Sequence, residues 1–315
     1  MVKTAEKQAA GAVLLVRPLG FRSNPETAES NAFQRSPGAA DPAAEQAAAA
    51  VEFDGLAQRL QQAGVDTVVV DDTPDPSTPD AVFPNNWVSF HADGTAVLYP
   101  MMAPSRRRER RHDILELLSR ARGFRIERVI DLSHHEGDGR FLEGTGSMVL
   151  DRVHRVAYAC LSPRTDLEVL AEAAQLLDYE PLAFVATDAD GVPVYHTNVL
   201  MCIGQDFAVL CEEAIRDAAQ RDAVRARLEA SGHEIIPIRF DQLARFAGNM
   251  LELESPAGVR LLALSAGALG ALEPGQREAL ASRCRLLPAP IAAIEAAGGG
   301  SVRCMLAEIH LPRRT

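Results

Sequence analysis

Apolar and polar positions along this chain alternate between two periods. Ala12 to Val16 is a short apolar run of the kind a buried strand shows, stopped by Arg17-Pro18. The Ala-rich stretch that follows predicts a helix, with Asp41 at the N-cap and Pro42 at the first helical position. Phe53, Leu56 and Leu60 then recur at helical spacing, and Gly64 supplies the stop. Thr67 to Val70 is β-branched and predicts a strand. A second helix is predicted from about Arg107 to Ala121, with Ile114, Leu115 and Leu118 on one side. A third starts at Thr165, where Thr165 and Glu168 match a capping box. Val224 and Leu228 mark a fourth, closed by Gly232, and Pro274 to Arg283 a fifth.

Between the helices lie short strand candidates: Ile126 to Ile130, Ser147 to Leu150, Val156 to Cys160, Phe184 to Ala186, Val199 to Ile203, Ala208 to Cys211, Ile235 to Ile238, Leu261 to Leu264 and Val302 to Met305. The helices recur roughly every 50 to 65 residues, a period that suits a propeller-like array. An ordinary α/β or α+β domain suits it too, and periodicity alone favours that plainer reading. The polar, Pro-rich loops at Ser30 to Pro42 and Asp71 to Asp80 are of ordinary length. No boundary stands out, so 1–315 reads as a single domain.

Composition narrows the class. With 47% hydrophobic and 24% charged residues the chain is globular. No stretch of about 18 apolar residues is present, which excludes a membrane-spanning helix. The segment Met1 to Lys7 has no basic run leading into an apolar one, so no signal peptide is expected. A net charge of −11 argues against nucleic acid and anionic membranes as partners. Five cysteines without a CxxC pair suggest reduced thiols and a cytoplasmic location. Phosphate-binding glycine loops, HExxH and GxSxG are absent, and His134 and His135 are adjacent, which suits a shared metal poorly. No metal and no organic cofactor is expected.

Four segments carry candidate chemistry. Asp80, Asn85, Asn86 and Trp87 sit in an apolar frame, where buried amides need partners in the backbone or in a ligand. Glu143 is flanked by Gly144 and Gly146, which permit close backbone approach. His196 and Asn198 stand just before an apolar run. Cys304 follows Gly298-Gly299-Gly300, and Arg303 beside it adds positive potential that helps hold a thiolate. Each segment alone reads more simply as a turn, a strand edge or a buried apolar residue. Together a Cys, a His and a Glu framed by glycines make a set for nucleophilic attack on a carbon–nitrogen centre.

These segments, in this order from Asn24-Pro25-Glu26-Thr27 to Cys304, resemble the guanidine-modifying superfamily of arginine deiminases, dimethylarginine hydrolases and amidinotransferases. The likeness is greatest to the amidinotransferase-related branch of citrulline-utilisation hydrolases. It implies an α/β fold, the five-bladed pseudo-symmetric α/β propeller called pentein, with the site on the central axis. It also implies Cys304 as nucleophile, His196 as general acid/base and Glu143 as the acidic residue at the substrate's nitrogen-rich head. Asp80, Asn85 and Asn86 match a run of acidic residues that faces the guanidinium, and Asn198 matches an Asp. Arg106 and Arg107 open a basic run whose counterpart holds the substrate α-carboxylate.

The amides are the informative departure. A guanidinium has only donors and suits carboxylates, whereas a ureido carbonyl needs a donor that Asn can supply. Each lost ion pair in a desolvated site costs arginine on the order of 2–4 kcal/mol. The expected activity is thus hydrolysis of citrulline to ornithine, ammonia and carbon dioxide. The alternatives are an arginine deiminase or dihydrolase, a dimethylarginine hydrolase, or a non-catalytic binding protein of the same fold. The expected partner is a small amino acid; the oligomeric state, a homo-oligomer included, stays open.

Overall fold

The computed structural model describes residues 6–34 and 41–314. The N-terminal segment and the loop from Ser30 to Pro42 discussed above fall partly outside those residues. Five three-stranded sheets are arranged as blades of one repeated pattern. In the first, β1 (Ala12–Arg17) runs parallel to β2 (Asp66–Asp71), with Leu14 opposite Val68. The second contains β3 (Val88–Phe90), β4 (Thr95–Leu98) and β5 (Arg128–Asp131), and the third β6 (Val149–Asp151), β7 (Val156–Cys160) and β8 (Glu180–Phe184). The fourth contains β9 (Met201–Ile203), β10 (Phe207–Leu210) and β11 (Glu234–Pro237), and the fifth β12 (Leu251–Glu254), β13 (Arg260–Ser265) and β14 (Arg285–Ala289). β15 (Ala307–Glu308) pairs antiparallel with β1, Leu14 opposite Ala307, and closes the ring from the other end of the chain.

Every blade has the same logic. Its middle strand is antiparallel to the inner strand and parallel to the outer one. A parallel pair needs a crossover, and a helix supplies it each time. The helices Pro42–Gln62, His112–Arg120, Leu167–Leu177, Ala218–Ala230 and Pro274–Ala281 occupy those positions. Their apolar stripes cover the sheets: Phe53, Leu56 and Leu60 of the first share a core with Leu253 and Leu261 of the fifth blade and with Ile294 of the helix Ala292–Gly298 after it. This is the five-bladed α/β propeller that the resemblance implied, in place of the plainer α/β reading that periodicity favoured.

Several boundaries differ from expectation. The second helix starts at His112, because Pro104–Arg107 forms a separate short turn. The third is capped by Asp166, whose carboxylate accepts from the Glu168 and Val169 amides, and not by Thr165. Ser147 and Val199 to Leu200 lie in helical turns that precede β6 and β9. Val302–Met305 is a 3-10 turn and not a strand. The strands at Val88, Thr95, Leu251, Arg285 and Ala307 were not predicted. Among the described residues no helix is long and apolar enough to cross a membrane.

Candidate active site

Each of the four blades after the first delivers polar residues to the axis from the turn ahead of its inner strand, and the turn ahead of β15 completes the set. Pro84–Asn86 is a 3-10 turn before β3 and carries Asn85 and Asn86. Glu143 is the N-cap of the turn Gly144–Ser147 before β6, and His196 is the N-cap of Thr197–Leu200 before β9. Asn249 stands two residues before β12, and Cys304 lies in the 3-10 turn before β15. The turns pack tightly around the axis. Gly144 has φ +49°, and a Cβ there would stand 2.4 Å from the Asn85 carbonyl oxygen. A Cβ on Gly146 would stand 2.4 Å from Asn86 Nδ2 and 2.7 Å from His196 Nδ1. Glycine is therefore required for the third blade's turn to lie against its neighbours.

Cys304, His196, Asp80, Asn86 and Arg106 line one small pocket, together with Arg164. Each of these, and Glu143 behind them, is buried. His196 Nε2 lies 2.9 Å from Glu143 Oε2. A carboxylate only accepts, so the ring proton sits on Nε2 and Nδ1 keeps a lone pair. Burial pushes His196 down to about 4, with Arg164 and Arg106 adding to the effect against the Glu143 hydrogen bond. Burial alone would raise Glu143, but Arg164, His196 and Arg106 hold its carboxyl well below the usual range. The pair is thus a neutral imidazole on an ionised carboxylate. Met102 N–H also donates to Glu143 Oε1 at 3.1 Å.

Two carboxamides converge on the sulfur. Asn198 Nδ2 is 3.4 Å from Cys304 Sγ and Asn249 Nδ2 is 3.3 Å from it. Asn249 also donates to the Asn198 carbonyl at 2.8 Å and accepts from the Arg303 amide at 3.0 Å. Arg303 itself points away, to Glu308 Oε2 at 2.7 Å and the Leu306 carbonyl at 2.9 Å. Its expected contribution to the potential at the thiol is replaced by the two amides.

Arg106 is held by Glu109 through two donors at 3.0 and 2.9 Å and donates to Asn86 Oδ1 at 2.8 Å. Asn86 Nδ2 in turn donates to Asn85 Oδ1 at 3.1 Å. This arrangement turns the Asn86 oxygen to Arg106 and its amide to Asn85, away from the expected role as a ureido donor. Asn85 Nδ2 reaches Thr145 Oγ1 at 3.4 Å, outside the cavity lining. Arg107 is likewise outside it: its guanidinium donates to the Met101 and Met102 carbonyls at 3.0 and 3.2 Å. Asp80 Oδ2 accepts from Asn24 at 2.8 Å, while Asp80 Oδ1 and Asn198 Oδ1 are buried without a partner among the described residues. Burial raises Asp80 against the opposing Arg106.

Sequence reasoning missed Asn249 and Arg164. Asn249 precedes an unpredicted strand, and its signal was positional: a polar residue just ahead of each inner strand. Arg164 lies 3.5 Å from Glu143 and 4.9 Å above the Tyr195 ring, contacts that no local pattern announces. A wider cleft of about 500 Å³ lined by Phe33, Asp188, Arg245 and Glu295 holds none of the groups at the sulfur.

A family model described as N,N dimethylarginine dimethylhydrolase, eukaryotic, matches residues 17–311. Among solved structures the chain is similar to ArgZ, an arginine dihydrolase from the ornithine–ammonia cycle in cyanobacteria. The TM-score is 0.72 at 18% identity, covering 96% of this chain and 41% of that one. The chain therefore spans less than half of full-length ArgZ. Against the N-terminal domain of ArgZ bound to substrate the values are 0.71 and 18%, covering 95% and 99%. A dimethylarginine dimethylaminohydrolase adduct with S-methyl-L-thiocitrulline gives 0.63 and 17%, covering 95% and 100%. These structural likenesses are of fold. No curated protein sequence matches the chain.

Proposed function

The chain belongs to the N,N dimethylarginine dimethylhydrolase family, in the amidinotransferase-related hydrolase branch of the pentein guanidine-modifying superfamily, and from that premise we propose that it is a single-domain cysteine hydrolase of citrulline. The products are ornithine, ammonia and carbon dioxide.

The observation that carries this reading is the pair of amide groups aimed at Cys304 Sγ. When Sγ bonds to a ureido carbon, the carbonyl oxygen becomes an oxyanion beside the sulfur and needs donors there. A guanidine develops an amino group at the same place, which meets N–H with N–H. Charge points the same way: Arg106 and Arg164 already stand against Asp80 and Glu143, leaving little unpaired negative charge for a cationic head.

The mechanism follows from the proton positions. Neutral His196 takes the thiol proton at Nδ1, and the imidazolium is stabilised by Glu143. Cys304 Sγ attacks the ureido carbon, and the C–N bond to the departing nitrogen breaks as His196 returns the proton to it. His196 then deprotonates one water, which attacks the thiocarbamate carbonyl and frees the sulfur, and the carbamate released breaks its remaining C–N bond as it loses carbon dioxide. Asp80 Oδ1 and Asn198 Oδ1, the two unpartnered acceptors, suit substrate N–H groups. Arg106 and Arg164, already paired with Asp80 and Glu143, orient those acids at the substrate's head.

Those same acceptors also suit a guanidine, so arginine or dimethylarginine is the second reading. Incubation of purified protein with citrulline, arginine and dimethylarginine, with ornithine, citrulline and ammonia quantified, separates them. Ornithine from citrulline alone is expected, with turnover lost in Cys304→Ala. Citrulline released from arginine or dimethylarginine overturns the substrate and keeps the nucleophile, whereas an active Cys304→Ala variant overturns the mechanism.

A further inference from the structure

At the end of the β6–β7 hairpin remote from Glu143, Asp151 gathers two histidines. His154 Nδ1 lies 3.0 Å from its carboxylate and His233 Nε2 2.9 Å from it. His154 belongs to the hairpin turn, while His233 comes from the loop ahead of β11 in the next blade. One ligand atom from each of the three residues lies within 4.8 Å of the other two. Asp151 and His233 are buried, whereas the His154 ring is 38% exposed. We propose that Asp151, His154 and His233 form a divalent-metal site of the zinc class that joins the third and fourth blades.

The donor set suits Zn²⁺, which takes imidazole and carboxylate at about 2.0–2.2 Å and tolerates a water as its fourth ligand. Three donors on such a sphere stand roughly 3.3 Å apart in tetrahedral geometry, near the 3.0 and 2.9 Å between each histidine and the carboxylate. The carboxylate is already oriented by the His154 backbone N–H, which donates to Oδ1 at 2.9 Å. Binding replaces two N–H···O hydrogen bonds by two N–metal bonds. The His154 proton moves to Nε2 of an exposed ring, and that of His233 to Nδ1, which is buried without a partner among the described residues. That unpartnered Nδ1–H is a desolvation cost that the N–metal bond has to offset. The Tyr158 hydroxyl, on which Asp151 bears, is buried and unpartnered as well. The exposed His154 side leaves an entry path and the open position. His134, His135 and Glu172 form a second group, but no member of it is buried and His134 is exposed.

The test uses tag-free, chelator-stripped full-length protein titrated with Co²⁺ as a spectroscopic stand-in for Zn²⁺. One equivalent with visible d–d bands is expected, displaced by Zn²⁺. Affinity should fall at least tenfold in Asp151→Asn and in His154→Gln. It should persist in Cys304→Ser and in His135→Gln. The exposed ring makes His154→Gln the decisive variant where Asp151→Asn does not fold. Absence of bands, or their loss in Cys304→Ser or His135→Gln with retention in His154→Gln, overturns the site.

Discussion

At Cys304 the sulfur receives one carboxamide from each of two neighbouring turns, and Asn249 also fixes Asn198 and the Arg303 backbone. Truncating Asn249 to Ala removes a donor from the position where charge develops. A fall of about 10²–10³-fold in kcat is expected, by analogy with loss of one oxyanion donor. A merely structural role would lower Tm and leave kcat of the folded protein intact, so both are to be measured. Gly146 offers a steric counterpart. Gly146→Ala puts a methyl group into Asn86 Nδ2 and His196 Nδ1, and a displacement of about 1 Å costs on the order of 10²-fold in rate. Near-native turnover in Gly146→Ala would mean that His196 is not the proton carrier. Glu143 and Cys304 stood out beside local glycines, whereas His196, in Tyr195-His196-Thr197-Asn198, has none and was picked out by the family resemblance. Asn249 and Arg164 were not, since nothing within a few residues of either marks the axis.

Individual elements followed their local signals where those signals were long enough. Asp41 accepts from the Ala43 amide at 3.0 Å and Pro42 opens the helix as expected, over three buried apolar positions, Phe53, Leu56 and Leu60. Asp166 holds the corresponding place in the third blade. Asp166→Ala should cost about 1 kcal/mol of stability. Urea denaturation reads this, with an unchanged midpoint counting against the cap. The inner strands show the opposite case. Val199 to Ile203 is one apolar run, yet its first two residues close a helical turn and only Met201–Ile203 pair with β10. A three-residue strand is too short to impose its period of two, so tertiary packing around the axis decides where the turn ends. Val302–Met305 failed as a strand for that reason.

Across the whole molecule, burial of ionisable groups sets the response to acid. His91 and His196 are held near 3 and 4, against an ordinary value of 6.5, first by burial and then by neighbouring arginines. Between those values the unfolded chain binds more protons than the folded one, so stability rises with pH and is lost as pH falls below about 6.5. Glu6, held near 2 by Arg152, His91, His310 and Arg155 despite its burial, extends the loss from about 4.5 downward. Glu109, pushed up to about 8 by burial, works the other way between 8 and 4.5, so Tm should fall most steeply below about pH 4.5, where Glu6 adds to the histidines. A Tm that does not fall between pH 4.5 and 4 would contradict neutral, buried histidines. The sequence by itself determined the inventory: helices and longer strands from periodicity and caps, and a candidate Cys, His and Glu from their motifs and the family resemblance. Only the closed ring decided which side chains meet. Pairing of β15 with β1 brings Cys304 beside Asn249, Glu109 captures Arg106, and Glu308 draws Arg303 away. Local pattern records how each segment folds, but convergence on an axis depends on five blades closing at once.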